Sequence, residues 1–331
     1  MLHKFLVAEA VPFHSAWEKQ GHIDRDLWRK AGEHGFLCPT VPEEYGGVGG
    51  DFLFNAIVDE ELAKLCLSGI GWGLHSDIAV PYILNYGSEE LKQKFLPGSV
   101  TGDIITAIAM TEPGTGSDLQ GIKTNAVLDG DEYIINGSKT FITNGQQADL
   151  VIVVARTESE VVSKGISLFI VEAKTPGYSR GSNLEKTGMK AQDTSELFFS
   201  DVRIPKDNLL GELGKGFGYL MDELPQERLS VALNAIADTE SILEQTIEYV
   251  SVRKAFGKSN ASFQNTQFKL AEADTKVTST CVFIDRRLEL NIDRKLDVAT
   301  AAKAKLLATE VQCEVLDECL QLHGGCGYMW D

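Results

Sequence analysis

The sequence predicts an α+β fold in which helices and strands occupy separate blocks, and three observations lead to this prediction. Residues 1–100 repeat apolar side chains at a spacing of about 3.6 residues. Residues 104–202 instead carry short apolar runs of strand length, and long helical patterns return after residue 214. Because the two kinds of element do not alternate, the order argues against a doubly wound α/β sheet.

The first block is predicted to hold several short helices. Apolar stripes at helical spacing cover residues 6–16, 27–31 and 52–66. A glycine-rich turn at residues 46–50 interrupts the pattern. Ser88, which two glutamates follow, is typical of a helix N-terminus, so another helix is expected to begin there.

The second block is predicted to be a set of strands. Residues 133–135 precede Asn136-Gly137, which is the strongest short signal for a hairpin turn. Two mostly apolar runs, residues 150–155 and 166–171, have the length of strands. Residues 201–205 are expected to lead out of the block through a turn.

The third block is predicted to form three long helices. Apolar residues fall on one helical face over residues 229–250, and this helix is expected to end at Arg253. Two further patterns cover residues 263–291 and 298–323, and Gly324-Gly325 closes the last one.

Composition narrows the class of protein. The 331 residues suggest two or three domains, and 43% hydrophobic with 24% charged residues is typical of a soluble globular protein. The formal net charge of −17 disfavours nucleic acid or an anionic membrane as the main partner, because both require a surplus of Lys and Arg. No apolar run approaches the roughly 18–20 residues of a membrane span. An enzyme fits these properties best.

The cysteines and the first residues indicate the compartment. Six cysteines are few for this length and form no CxxC pair, so reduced thiols in a cytosol-like compartment are predicted. No His and Cys set has the spacing of a zinc site, so no metal is predicted. The first residues have the pattern of neither a signal peptide nor a transit peptide, so neither is expected. We expect a cytoplasmic protein in a bacterium, or a mitochondrial matrix protein in a eukaryote.

Two segments of the strand block could contact a flat ligand. Residues 110–118, Met-Thr-Glu-Pro-Gly-Thr-Gly-Ser-Asp, allow a close approach to backbone N–H groups, although the same composition suits an ordinary tight loop. Residues 141–145, Phe-Ile-Thr-Asn-Gly, place an aromatic ring beside a hydroxyl. This pair suits a heterocycle with polar edges, or a core phenylalanine followed by a turn.

Three segments of the third block carry similar ambiguity. In residues 224–228, Leu-Pro-Gln-Glu-Arg, the carboxylate could act as a base or could stabilise the start of the helix. The cations in residues 253–257 could bind an anion or form a helix C-cap. His323, which precedes glycines, is a candidate metal ligand or a capping residue.

In this order, the segments resemble the acyl-CoA dehydrogenase family along essentially the whole chain. TEPGTGSD, FITNG, RKAFGK and QLHGG stand where that family carries flavin contacts. The resemblance implies an N-terminal helical domain at residues 1–103, a β-barrel-like middle domain at 104–213 and a C-terminal helical bundle at 214–331. It also implies that family members extend past both ends of this chain and that the last helix of the bundle lies beyond it.

The resemblance implies FAD as the cofactor. Met110 and Thr111 would bind it from the middle domain, and Phe141 and Thr143 would flank the isoalloxazine ring. Many relatives carry Trp where this chain has Phe141. A further set of residues would meet the FAD of a neighbouring subunit: Arg253, Phe256, Gln264, Gln321 and Gly325.

The resemblance also implies the substrate and the catalytic base. Glu227 is similar in position to the base of the long-chain branch, and residues 189–194 are also similar to that branch. Ser117 and Arg228 would contact the acyl-CoA. The implied reaction removes the α-proton of a medium- to long-chain acyl-CoA to Glu227 while a β-hydride passes to flavin N5. Its product is the trans-2-enoyl-CoA of fatty acid β-oxidation.

The implied partners are a second flavoprotein and further copies of the chain. An electron-transfer flavoprotein would reoxidise FAD, and the assembly would be a homotetramer or a dimer. No nucleic-acid or membrane partner is expected. Two alternatives stay open: an acyl-CoA oxidase that passes electrons to oxygen, and an inactive fragment that does not hold FAD.

Overall fold

A computed structural model describes residues 1–157 and 165–329. The described chain divides into two compact units. The first contains residues 1, 3–55 and 68–224, and the second contains residues 2, 56–67 and those from 225 onward. The predicted α+β class is confirmed, whereas the predicted division into domains at 1–103, 104–213 and 214–331 stays a prediction.

The N-terminal part of the chain is helical. Its helices are α1 (Leu2–Glu9), α2 (His14–Gln20), α3 (Arg25–Glu33), α4 (Phe52–Lys64), a π-helix (Leu74–Ala79), α5 (Val80–Tyr86) and α6 (Glu89–Thr101). The predicted helix start at Ser88 is confirmed, because its hydroxyl accepts a hydrogen bond of 3.3 Å from the amide of Leu91. The predicted helix around residues 27–31 is confirmed as well, with that face buried.

The predicted stripe over residues 6–16 is wrong in part. The chain leaves the helix after Glu9, and Val7 and Val11 are exposed whereas Leu6 is buried. Pro12 gives the physical reason. Its ring disfavours the helical conformation of the residue before it, so one apolar pattern is divided between two helices.

The middle of the chain forms one eight-stranded sheet. Its strands are β1 (Thr106–Ala109), β2 (Asn125–Asp129), β3 (Glu132–Thr143), β4 (Leu150–Arg156), β5 (Ile166–Glu172), β6 (Tyr178–Asn183), β7 (Thr194–Pro205) and β8 (Leu209–Leu210). The hydrogen-bonded order is β6-β7-β3-β2-β4-β5-β8, and β1 pairs in parallel with β4. Residues 150–155 and 166–171 are therefore strands, as predicted. Residues 201–205 are not a turn, because they continue β7 along β3.

The predicted hairpin at Asn136-Gly137 is wrong. Both residues lie inside β3, and the turn between β2 and β3 falls earlier, at Gly130-Asp131. The pairing of β3 with β7 shifts register between Ile135 and Gly137. Asn136 fills this irregularity by exchanging two hydrogen bonds with Asp201, of 3.0 and 2.8 Å. Long-range pairing of strands therefore overrides the local turn preference.

Gly137 is required at this position for a steric reason. Its φ is +151°, and an added Cβ would lie 2.4 Å from the Thr124 hydroxyl and 2.7 Å from the Thr124 Cα. We expect Gly137→Ala to lower the free energy of unfolding by about 3 kcal/mol. Gly130→Ala is the matched control, because Gly130 also has a positive φ but has open space around it. Urea unfolding of both variants checks the prediction, which equal losses would contradict.

A buried histidine links the helical part to β1. His75 is fully buried; its Nε2 donates to the Ser99 carbonyl (3.0 Å), and its Nδ1 accepts from the Thr106 amide (3.1 Å). Burial lowers the pKa of His75 to about 4, although the hydrogen bond to Ser99 opposes this shift. The folded protein therefore holds the neutral imidazole.

The low pKa of His75 makes stability depend on acidity. Between pH 6.5 and pH 4 the unfolded chain binds a proton that the folded chain does not, so stability falls as the pH falls. We expect His75 to remove about 2 kcal/mol from the free energy of unfolding between pH 7 and pH 5. Urea titrations at both pH values measure it. A His75→Gln variant that keeps the full slope would refute the assignment to His75.

The C-terminal part is helical, as predicted. It contains α7 (Gly216–Val252), a two-stranded hairpin of β9 (Lys254–Ala255) and β10 (Lys258–Ser259), α8 (Gln264–Ile292), α9 (Val298–His323) and a 3₁₀ turn (Gly324–Tyr328). The predicted apolar face of α7 is buried at nearly every position, with Ile247 as an exposed exception. All six cysteines are free. Within residues 1–157 and 165–329, no helix has the length and apolar character needed to cross a membrane.

Candidate active site

The segment after β1 forms a tightly closed loop. Met110 and Thr111 are half-buried, and the Thr111 carbonyl accepts a hydrogen bond of 3.0 Å from the amide of Thr140 in β3. Glu112 and Thr115 then exchange two backbone hydrogen bonds, of 2.9 and 3.1 Å. The predicted ligand-binding segment is thus attached to the strand that carries the second predicted segment.

A buried ion pair, which sequence reasoning missed, lies beneath this loop. The Lys139 side chain is 0% exposed and the Glu112 side chain 6% exposed, with 3.0 Å between Lys139 Nζ and Glu112 Oε1. The same ammonium donates to the Met110 carbonyl at 2.9 Å. The Glu112 carboxylate accepts from the amides of Lys123 (2.7 Å) and Thr124 (2.9 Å). These contacts join three separate segments.

The titration of this pair follows from its burial. Burial lowers the pKa of Lys139 to about 8, against the opposing effect of the neighbouring Glu112. Burial would raise the pKa of Glu112, but hydrogen bonds from Thr124 and Lys123 and the charge of Lys139 outweigh it, so the pKa is lowered. A signal in the sequence could have located Lys139. It follows Tyr133 and Ile135 at even spacing, and these two residues face the core.

Phe141, in the predicted ligand-binding segment 141–145, is strongly exposed. Its side chain is 67% exposed although it lies within a strand, and its φ is +59°. The pairing of β3 with β7 shifts register between Lys139 and Ile142, and this irregularity turns the ring out of the sheet. The alternative of a core phenylalanine is therefore wrong. A left-handed backbone at a bulky residue costs about 1–3 kcal/mol and is typical of functional sites.

The residues that follow Phe141 are fixed by contacts within the first unit. Thr143 is half-buried at the end of β3, where it pairs with Thr194. Asn144, with a φ of +62°, donates to the carbonyls of Gly71 (3.0 Å) and Thr106 (3.3 Å). Ser117 is exposed on the loop after β1. The first unit thus presents an aromatic ring, hydroxyl groups and a glycine-containing loop.

Glu227 and Arg228 lie inside a long helix, not at its start. Because α7 begins at Gly216, Glu227 is about three turns from the N-terminus, where the helix dipole no longer acts on it. Pro225 is accommodated within the helix. Both charged side chains are half-buried. The alternative of a glutamate that stabilises a helix start is therefore wrong, and a role as a base stays open.

The segment after α7 forms the β9–β10 hairpin and not a simple helix cap. Phe256 and Gly257 form the turn with φ values of +53° and +78°, and the Phe256 side chain is 95% exposed. Its ring contacts Phe263 edge to face, with 6.1 Å between centroids. Gln264 is exposed as the first residue of α8. The second unit thus also exposes an aromatic side chain on a strained backbone.

A cavity of about 470 Å³ in the second unit brings several predicted residues together. Arg253 and Gly325 line it, and so do Tyr249 and His323, whose rings stack with 4.2 Å between centroids. Sequence reasoning did not identify Tyr249. Gln321 is exposed nearby in the last turn of α9. His323 Nε2 lies 3.3 Å from the Thr246 hydroxyl.

Comparison with known families accounts for most of the chain. Residues 1–103 match the N-terminal domain of the acyl-CoA dehydrogenases, residues 107–202 match the middle domain, and residues 214–331 match the C-terminal domain. The chain therefore belongs to the acyl-CoA dehydrogenase family, and it is an oxidoreductase.

Individual relatives agree with this family. The chain is 52% identical to the mitochondrial long-chain specific acyl-CoA dehydrogenase of Rattus norvegicus, over all of this chain and 77% of that protein. Its structure is similar to an acyl-CoA dehydrogenase of Geobacillus kaustophilus, with a TM-score of 0.97, 52% identity and coverage of 99% and 87% of the two chains. It is also similar to a glutaryl-CoA dehydrogenase of Mycobacterium smegmatis solved with FADH2, with a TM-score of 0.93, 28% identity and coverage of 100% and 84%.

Proposed function

We propose that this protein is an FAD-dependent dehydrogenase that converts a medium- to long-chain acyl-CoA to its trans-2-enoyl-CoA. The observation that carries the proposal is the identity of 52% to a long-chain specific acyl-CoA dehydrogenase along the whole of this chain. The proposal includes the reoxidation of the cofactor by an electron-transfer flavoprotein and assembly as a homotetramer or dimer.

The described residues fit FAD. Phe141 offers an exposed aromatic surface two residues before the half-buried Thr143, and an aromatic ring with a hydroxyl suits a flat ring with polar edges. In the second unit, Arg253 lines a cavity whose wall includes Gly324 and Gly325, and an added Cβ at either glycine would meet nothing within 4 Å. Guanidinium groups bind phosphate oxygens in a forked geometry. The residues proposed to meet a neighbouring subunit's FAD are Arg253, Phe256, Gln264, Gln321 and Gly325.

The proposed chemistry divides between the cofactor and this chain. FAD, when bound, supplies the acceptor for the substrate's β-hydride. Glu227 takes the α-proton, and Arg228 and Ser117 help to bind the acyl-CoA. Donors directed at the thioester carbonyl would stabilise the negative charge that develops as the proton leaves. Met110 and Thr111, in the first unit, contact the bound FAD.

Binding of the acyl chain assists the base. The side chain of Glu227 is half-buried before substrate binds. A fatty acyl chain that displaces the remaining water would raise the pKa of a carboxylate and so make it a stronger base. The abundance of acidic groups, with a net charge of −17, does not prevent CoA binding, provided that cations such as Arg228 make the site locally basic.

The product and the electron acceptor test the proposal. Purified protein, FAD and acyl-CoAs of graded length are incubated with an artificial electron acceptor, and the products are separated by chromatography. We expect trans-2-enoyl-CoA to form with medium and long chains. Absence of enoyl-CoA at every chain length would contradict the proposal. Formation of hydrogen peroxide in step with the product, when oxygen is the only acceptor, would favour an oxidase instead.

A further inference from the structure

We infer that the buried Glu112–Lys139 pair is a positioning element that holds residues 110–124 in the conformation that binds the cofactor. The inference rests on the proposed function, because it assigns the pair to the binding of FAD. Neither residue is proposed to touch FAD or substrate. Their role would act through the segments that carry Met110, Thr111 and Ser117 and through the strand that carries Phe141.

The ammonium of Lys139 connects the two residues that flank Thr111, namely Met110 and Glu112. It donates to the Met110 carbonyl at 2.9 Å and to Glu112 Oε1 at 3.0 Å, so its two acceptors flank the intervening Thr111. Lys139 is itself anchored in β3, where Ser138 and Lys139 pair with Phe198 and Leu197. The residues on both sides of Thr111 are therefore hydrogen-bonded to a side chain of the sheet.

The carboxylate of Glu112 closes the loop from the other side. Its two oxygens accept from the amides of Lys123 and Thr124, which lie eleven and twelve residues along the chain. The tip between these ends is open, because Gly114 and Gly116 have no atom within 4 Å of an added Cβ and Ser117 is exposed. A loop with so few contacts at its tip depends on the contacts at its base for its conformation.

The Glu112–Lys139 pair also connects the two predicted ligand-binding segments, residues 110–118 and 141–145. Lys139 is followed by Thr140, whose amide donates to the Thr111 carbonyl, and by the exposed Phe141 with its left-handed backbone. The register shift that turns Phe141 outward begins at Lys139. One buried contact is thus shared by the loop after β1 and by the strained residue of β3.

A double substitution separates positioning from general stability. Lys139→Met removes the charge and both hydrogen bonds that the ammonium donates, and combining it with Glu112→Gln leaves no buried charge without a partner. Removal of both charges of a buried pair often restores stability. We expect the double variant to melt close to the wild type, to bind FAD at least about tenfold more weakly, and to exchange the amides of Thr115, Lys123 and Thr124 faster without cofactor. Fluorescence quenching of FAD and hydrogen exchange provide the measurements.

One control variant and one reserve variant accompany the double variant. Val171→Ala, in the core of the same sheet and remote in sequence from the loop, should lower the melting temperature without changing the dissociation constant of FAD. Glu112→Gln alone provides a second variant if the double variant does not fold. Wild-type affinity for FAD together with wild-type amide protection in the folded variant would overturn the inference. If the wild type itself binds no FAD, the proposed function fails, whereas the exchange data on the cofactor-free chain still decide whether the pair fixes the loop.

Discussion

Replacement of Glu227 by glutamine is expected to lower the rate of acyl-CoA-dependent flavin reduction by about 10²–10⁴-fold, the usual contribution of a positioned general base. Glutamine keeps the shape of the side chain and one acceptor oxygen, but it carries no negative charge and is too weak a base to accept the α-proton. Substrate binding should change little, because the acyl-CoA meets the same surface. Anaerobic stopped-flow measurement of the decrease in flavin absorbance gives the rate directly.

A second substitution on the same helix controls for the loss of a carboxylate. Glu244 also lies on α7 but is exposed, and no role in the site is proposed for it. Glu244→Gln should reduce its flavin at the wild-type rate. A Glu227→Gln protein that bound FAD and reduced it at more than a tenth of the wild-type rate would contradict the assignment of the base.

Lys139→Met alone is expected to lower the free energy of unfolding by about 3 kcal/mol, the lower end of the range for breaking a buried ion pair. The Glu112 carboxylate would stay buried without its cation, although the amides of Lys123 and Thr124 would still hydrogen-bond to it. These two remaining bonds are the reason for expecting the lower end. Urea unfolding at pH 7 measures the loss.

An exposed ion pair gives the matched comparison. Arg203 lies 3.1 Å from Asp129 and 3.2 Å from Glu132 on the same sheet, and all three side chains are about half exposed. Surface pairs contribute about 0–1 kcal/mol, so Arg203→Met should change stability by no more than that. Equal losses of unfolding free energy for Arg203→Met and Lys139→Met would contradict the prediction that breaking the buried Glu112–Lys139 pair costs more stability than breaking an exposed pair.

The long helices were predictable because local preference and packing agree there. Along α7, buried apolar residues such as Leu229, Leu233 and Ile236 recur at helical spacing. The start of α7 was not predictable in the same way. A proline near position 225 favours the first turn of a helix, yet the chain becomes helical from Gly216 and accommodates Pro225 in its interior. Tertiary packing decides such a boundary, and a local pattern does not record it.

The candidate site was predictable in its residues more than in its geometry. The order of the motifs indicated Phe141 and Arg253 as FAD contacts. In the structure, Phe141 is exposed and Arg253 lines a cavity. The strained backbone at Phe141 arises from a register shift between two strands far apart in sequence, which no local pattern encodes. The alternation of β3 could have indicated that Lys139 faces inward, although no prediction was made for it, and a buried lysine becomes plausible only when Glu112 is known to lie next to it.

The visible absorption spectrum of the purified, FAD-reconstituted protein under anaerobic conditions directly tests whether Glu227 and bound FAD dehydrogenate an acyl-CoA. We expect a bound-flavin spectrum that bleaches when a medium- or long-chain acyl-CoA is added, and that does not bleach on the same timescale in Glu227→Gln. A protein that retains no flavin once free FAD has been removed, or whose bound flavin is unaffected by acyl-CoAs of every length, would contradict this reaction.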